Sequence, residues 1–409
     1  MKWALTSPDG LGDFLLRLPW LLAMQEAGWD LTLVARQPTI ELAGLAGLRA
    51  QPVTIGMSPY SKASRHARDP FASERKAVSA SELVFFGPTQ PSFLEEQLAE
   101  SLSSPKLAGF VLDEDFWPSE GIADPRAFAQ HLDIRITVKN SDREPERNAR
   151  AATTLLGRRP VLPPFQFPAT LRARWIGRGP AESYVVVCAG YREGDYYKGL
   201  GTERWTSELR AIEAGHRFVF VGAPAEAKSH AAILSGLHNP DHHIDLTGKL
   251  TSLSDLMAVL ENAEAYVGKD SGTMHLAAAV NKPVVAVFGG GHWSRFLPTG
   301  VPAVILTTRV PCRGCDWRCH FNEPICATGL AAGSVAEAWT QLGRAEPDQP
   351  LILEAEPFPH HAEILRNHPS DNYPQKVHLE RRRRLSAERE QALQPAWRKL
   401  WNRMTPSRG

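Results

Sequence analysis

The chain reads as an α/β protein made of two similar halves, each with a mostly parallel sheet. Three observations predict this. Residues 2–35 run strand, turn, helix, strand, which is a βαβ unit. The same alternation restarts near residue 183 and continues to 288. Between the two lies a Pro- and Arg-rich stretch, residues 158–180, containing Arg158-Arg159-Pro160, Pro163-Pro164 and Gly177-Arg178-Gly179-Pro180. That composition suits a linker.

Taken in order, Lys2 to Thr6 is a short buried strand and Ser7-Pro8-Asp9-Gly10 a turn. Phe14 to Ala27 carries apolar residues at helical spacing and stops at Gly28. Asp30 to Ala35, Leu83 to Phe86 and Leu107 to Val111 are further strands. In the second half the predicted strands are Ser183–Cys188, Phe218–Val221, Ala265–Gly268 and Pro283–Phe288. Helices are predicted at Glu203–Ala214, Ala225–Leu237, Leu253–Asn262 and Thr273–Val280. The resulting division is 1–157, a linker 158–180, 181–345, and a tail 346–409. The tail starts as a Pro-, His- and Asn-rich extended segment. It ends as a basic amphipathic helix with Trp397, Leu400, Trp401 and Met404 on one face.

Composition bounds the function. The chain has 409 residues, 43% hydrophobic and 22% charged, which is ample for a folded core. Its net charge of +1 gives no global call for nucleic acid. The charge is unevenly spread: residues 376–409 carry +7, leaving −6 for the rest. No apolar run reaches the roughly 18–20 residues of a membrane span. Asp9, Asp13 and Arg17 interrupt what would be the apolar part of a signal peptide. The expected location is therefore the cytoplasm, where cysteines are reduced thiols or metal ligands.

The segment richest in chemistry is Val267 to Gly289. A strand ends at Gly268, and Asp270-Ser271-Gly272 opens a helix of small residues. Free amides and the helix dipole at such a start hold an anion. Ser271 or Asp270 could instead be a plain N-cap. Near the N-terminus, Gly10-Leu-Gly-Asp13 lacks the third glycine of a dinucleotide fingerprint, because Leu15 stands there. The Asp13 carboxylate would also repel a pyrophosphate. Its place after the first strand is where α/β sheets put ligands, although an acidic residue there also suits a helix dipole. Cys312, Cys315, Cys319 and Cys326 fall within 15 residues. They read as a structural zinc or iron site, or as a Cys-rich loop without metal, since the spacing departs from paired CxxC knuckles.

These segments resemble glycosyltransferase family 9, the bacterial heptosyltransferases of lipopolysaccharide core synthesis. The match rests on Asp270, Ser271, Gly272, His275, Leu276, Ala278, Ala279, Pro283, Phe288 and Gly289, and on Gly10-Leu-Gly-Asp13 with Pro19. The resemblance implies a GT-B fold, two Rossmann-like α/β domains facing a cleft, with the acceptor on the first and a nucleotide sugar on the second. It implies an inverting, metal-independent transfer, with ADP-heptose as donor and a cell-surface glycan as acceptor. By the same resemblance Asp13 is the catalytic base and Lys198 assists the leaving diphosphate. Arg192, Glu226, Thr251, Asp270, Ser271, Gly272, Thr273 and His275 bind the donor. The family's Lys-x-Trp-Pro loop is altered here, with Glu203 and Thr206 flanking Trp205, and its Pro-Thr after Phe-Gly is replaced by Gly290-Gly291-His292. Other readings are a GT-B transferase or epimerase using another nucleotide sugar, and a non-catalytic GT-B scaffold. The basic C-terminal helix packs across both domains, touches the anionic inner membrane surface, or makes an oligomer contact. Oligomeric state is not legible.

Overall fold

The computed structural model describes residues 1–113, 124–163, 166–191, 199–313, 315 and 324–366. Two sheets organise them, and every strand pair within both is parallel. The first contains β1 Lys2–Ser7, β2 Asp30–Ala35, β3 Ala50–Thr54, β4 Leu83–Phe86, β5 Lys106–Leu112 and β6 Ile134–Val138. Its order is β3-β2-β1-β4-β5-β6. The second contains β7 Tyr184–Cys188, β8 Arg217–Phe220, β9 Ile244–Asp245, β10 Ala265–Lys269, β11 Val284–Val287, β12 Ala303–Thr308 and β13 Leu351–Ala355. There the order is β13-β12-β11-β10-β7-β8-β9.

Central strands such as Tyr184–Cys188 and Val284–Val287 are buried along their whole length. That burial explains their unbroken runs of Val, since a parallel sheet is covered on both faces. Strand order reverses between β1 and β4 in the first sheet and between β7 and β10 in the second. Each reversal leaves a crevice at the carboxyl ends of its two strands, the usual ligand position in open α/β sheets.

Several expectations shift. The first helix runs Leu11–Glu26, so it begins three residues before Phe14 and takes Asp13 into its first turn. The Ala225–Leu237 helix is a 3-10 turn, Pro224–Glu226, followed by a helix at Ala227–Ser235. The segment after 346 is not simply extended. Its β13 pairs with β12, so the second sheet reaches beyond residue 345, and Pro359–Arg366 is helical. The expected basic helix near the C-terminus lies outside the described residues. No helix among the described residues is long and apolar enough to cross a membrane.

The halves touch along several contacts. Glu41 Oε1 accepts from the amide and hydroxyl of Ser254, each at 3.2 Å. Glu144 and Arg295 form an ion pair at 2.7 Å. Gly12, in the first helix, lies under the His275 ring: a Cβ there would come within 2.6 Å of His275 Cδ2.

Candidate active site

The two crevices open into one cavity of about 360 Å³. The turn after β1 and the start of the helix that follows contribute Asp9 to Asp13, and the turn after β4 contributes Pro88, Thr89 and Gln90. From the second half come Asp270, Ser271, Gly272 and His275, followed by His292, Arg295 and Phe296. The starts of two helices, Leu11–Glu26 and Gly272–Ala279, therefore face each other, with Gly272 about 3.7 Å from Leu11 Cβ by its would-be Cβ.

Asp13 stands in the first turn of its helix, where Oδ2 accepts the Gly10 amide at 3.2 Å. The helix-start reading of this residue is thus correct as local structure. Its surroundings add more. Arg17 is committed to Asp9 at 2.9 Å, to Ser7 Oγ at 2.8 Å and to the Gly87 carbonyl at 3.1 Å. Arg295 is committed to Glu144 at 2.7 Å. Asp13 is left without an ion-pair partner among the described residues. Burial, then the charges of Asp9 and Glu144, push its carboxyl up to about 7, against the pull of Arg295 and Arg17. By contrast, burial alone would raise Glu144, but Arg295 and Arg17 outweigh it and hold that carboxyl below its usual range.

On the opposite wall, Ser271 caps the Gly272–Ala279 helix, its Oγ accepting the Met274 amide at 3.4 Å. The Tyr266 hydroxyl lies 3.2 Å from the same Oγ and donates to the Lys269 carbonyl at 2.9 Å. Ser271 is therefore an N-cap, and the helix start it opens lines the cavity through Asp270, Ser271 and Gly272. Burial lowers the basicity of His275 despite nearby Asp270, so the ring is neutral at pH 7. It packs on Gly12 and edge-on against Phe296.

Glu226 and Thr251 do not line this cavity. Glu226 ends the 3-10 turn Pro224–Glu226 that follows β8. Its Oε2 accepts the Ala223 amide at 2.8 Å, and its Oε1 pairs with Lys269 at 2.6 Å. Lys269 also donates to the Gly190 carbonyl. His230 supports the loop after β7: its Nε2 accepts the amides of Ala189 at 3.1 Å and Gly190 at 2.6 Å, and Nδ1 meets Thr247 Oγ1 at 2.7 Å. Burial drives His230 down to about 4, so the ring is neutral and Nε2 is free to accept. Thr251 stands at the start of the Leu253–Asn262 helix, 3.5 Å from Asp255. The Thr273 hydroxyl is directed to buried Cys188.

Arg192, Lys198 and Cys319 lie outside the described residues. Cys312, Cys315 and Cys326 are described, and no group of three or more His, Cys, Asp or Glu among the described residues is arranged to hold a metal ion. Sequence reading did not single out Glu144, Arg295, Lys269 or His230. Lys269 and His230 adjoin motifs that were read. For Glu144 and Arg295, separated by 151 residues, the sequence carries no local signal.

Two facing α/β halves with a site at the joined switch points define a GT-B-type protein. Residues 197–323 match the model of glycosyltransferase family 9 (heptosyltransferase), so the chain is related to that family as its motifs led us to expect. Lipopolysaccharide heptosyltransferase 3 of Escherichia coli is 29% identical over 114 residues, 27% of this chain and 32% of that protein. Lipooligosaccharide heptosyltransferase 2 of Haemophilus ducreyi is 34% identical over 99 residues, 23% of this chain and 28% of that protein. The match thus spans a third or less of these curated relatives' lengths. The fold is similar along most of the chain. E. coli ADP-heptose lps heptosyltransferase II superposes with a TM-score of 0.61 at 16% identity, covering 84% of this chain and 98% of that one. A family 9 glycosyl transferase from Veillonella parvula gives 0.58 at 16% identity, covering 74% and 85%. An E. coli heptosyltransferase solved with ADP-2-deoxy-2-fluoro heptose gives 0.56 at 20% identity, covering 84% and 99%.

Proposed function

We propose that the protein is an inverting, metal-independent glycosyltransferase moving a sugar from a nucleotide sugar to a hydroxyl of a cell-surface glycan. ADP-heptose is the favoured donor and lipopolysaccharide core the favoured acceptor, in keeping with the names of its relatives. The observation that carries this reading is a single one. Asp13, half-buried, without an ion-pair partner among the described residues and with its carboxyl pushed up to about 7, shares a cavity with the helix start at Asp270-Ser271-Gly272.

In this reading the Asp13 carboxylate accepts the acceptor hydroxyl proton as that oxygen attacks the anomeric carbon. The bond from that carbon to the diphosphate oxygen breaks on the opposite face, and its electron pair leaves with ADP. Attack from the opposite face inverts the anomeric centre. Charge growing on the diphosphate meets the amides and dipole of the Gly272–Ala279 helix. The family resemblance assigns Lys198 and Arg192 to the same charge. The same resemblance assigns Glu226, which pairs with Lys269, to the donor's ribose hydroxyls, and His275 packs between the two helix starts. The reaction is set at the cytoplasmic face of the inner membrane, with the basic tail as the element contacting it.

Incubation with ADP-heptose and a delipidated core oligosaccharide, followed by mass spectrometry, tests this. The expected product is heavier by one heptose. Asp13→Asn should slow its formation by roughly 10²-fold or more while ADP still binds. Transfer by Asp13→Asn at the wild-type rate would remove Asp13 from the chemistry.

A further inference from the structure

Arg295 is a second-half residue built into the first half. It follows β11 in sequence, yet its polar contacts run to the other side of the cleft. Nε reaches Glu144 Oε2 at 2.7 Å and Nη2 donates to Thr89 Oγ1 at 3.2 Å. Its backbone carbonyl accepts the Glu144 amide at 2.9 Å. Arg143, one residue earlier, donates through Nη2 to the Leu297 carbonyl at 3.4 Å. The receiving surface is itself rigid: Arg147, fully buried, donates to Thr89 Oγ1 at 3.0 Å and to the carbonyls of Asp142 and Asn140. The guanidinium lies over the Phe296 ring, 4.5 Å from its centre, and lines the same cavity as Asp13.

We propose that Arg295 is a cross-cleft positioning residue: anchored on Glu144 and Thr89, it carries from the second half the positive charge that readies Asp13 to take a proton. This rests on the reading of Asp13 as the base. It makes that base dependent on the two halves being together, because of the two cations that favour its charged form Arg17 belongs to the first half and Arg295, the stronger, to the second.

The groups facing Asp13 from each neighbouring element set the expected signs. Asp9 in the turn and Glu144 on its helix oppose the charged form, whereas Arg17 on the same helix and Arg295 favour it. Tyr60, His275, His292 and Asp270 complete the titratable lining, and Tyr60 and His275 are both neutral near pH 7. Removing the Arg295 charge must therefore move Asp13 upward, and removing the Glu144 charge must move it downward. A general loss of structure would not give opposite shifts.

The test is a titration of the unliganded full-length protein labelled with ¹³C at aspartate carboxyls, with the Asp13 signal assigned by its absence in Asp13→Asn. The wild type should titrate near 7. Arg295→Gln should raise the midpoint by roughly one pH unit or more, and Glu144→Gln should lower it. Arg295→Lys, which keeps the charge, should return it towards the wild-type value. Thermal melts identify any variant that fails to fold, and Arg295→Lys then supplies the comparison. An Asp13 midpoint unchanged in folded Arg295→Gln, or moved the same way by both neutralising variants, would overturn the proposal. Failure of the wild type to transfer a sugar would count against the proposed function and leave this titration readable.

Discussion

At the scale of single residues, the account turns on Asp13 and Gly12. A carboxyl raised to about 7 is a base only once ionised, so turnover should fall as pH drops through 7. A pH profile of kcat/KM in wild type should show that acidic limb, and a profile flat from 8 to 5 would contradict it. Gly12 was legible as part of a motif, but its reason was not. It leaves room for His275, and a methyl there would sit 2.6 Å from the ring. Gly12→Ala should cost about 1–3 kcal/mol. Adding His275→Ala should recover part of that cost, a coupling that a double-mutant cycle of denaturant melts measures directly.

At the scale of elements, the sequence named strands such as Tyr184–Cys188 from their unbroken apolar runs and helices such as Leu253–Asn262 from a 3.6-residue pattern, but not the interior strand Ala303–Thr308 or the helix Glu144–Leu156. It lost the edges. Ala50–Thr54 contains a proline and is half polar, as an edge strand can be, and Ile244–Asp245 is only two residues long. The first helix began early because Gly10 serves as its cap without a side chain, leaving no Ser or Asp to mark the start. The loop after β7 shows how an element can depend on one protonation state. His230 accepts two amides only while Nε2 is bare. The unfolded ring takes a proton near 6.5, whereas the folded one takes it only at about 4. Below the unfolded value the proton favours unfolding, so this contribution to stability is present above about 6.5 and declines towards pH 4. His230→Gln should weaken that decline in melting temperature between pH 6.5 and 4.5, and an identical decline in both proteins would refute the assignment.

At the scale of the whole molecule, two sheets each reverse strand order once, and the two crevices meet. Recurrent α/β alternation made the two sheets readable, and the positions of Asp13 and Asp270 after strands β1 and β10 made their crevices readable as a site. Their meeting was not, because it is fixed by contacts such as Glu144 with Arg295 and Gly12 with His275, which join residues far apart in the chain. The central claim is that this joined cavity takes a nucleoside diphosphate. Calorimetric titration with ADP, UDP and GDP, repeated with Asp270→Ala, tests it most directly. The account predicts saturable binding with ADP preferred, weakened by Asp270→Ala. Absence of binding by all three nucleotides to the folded wild-type protein would contradict it.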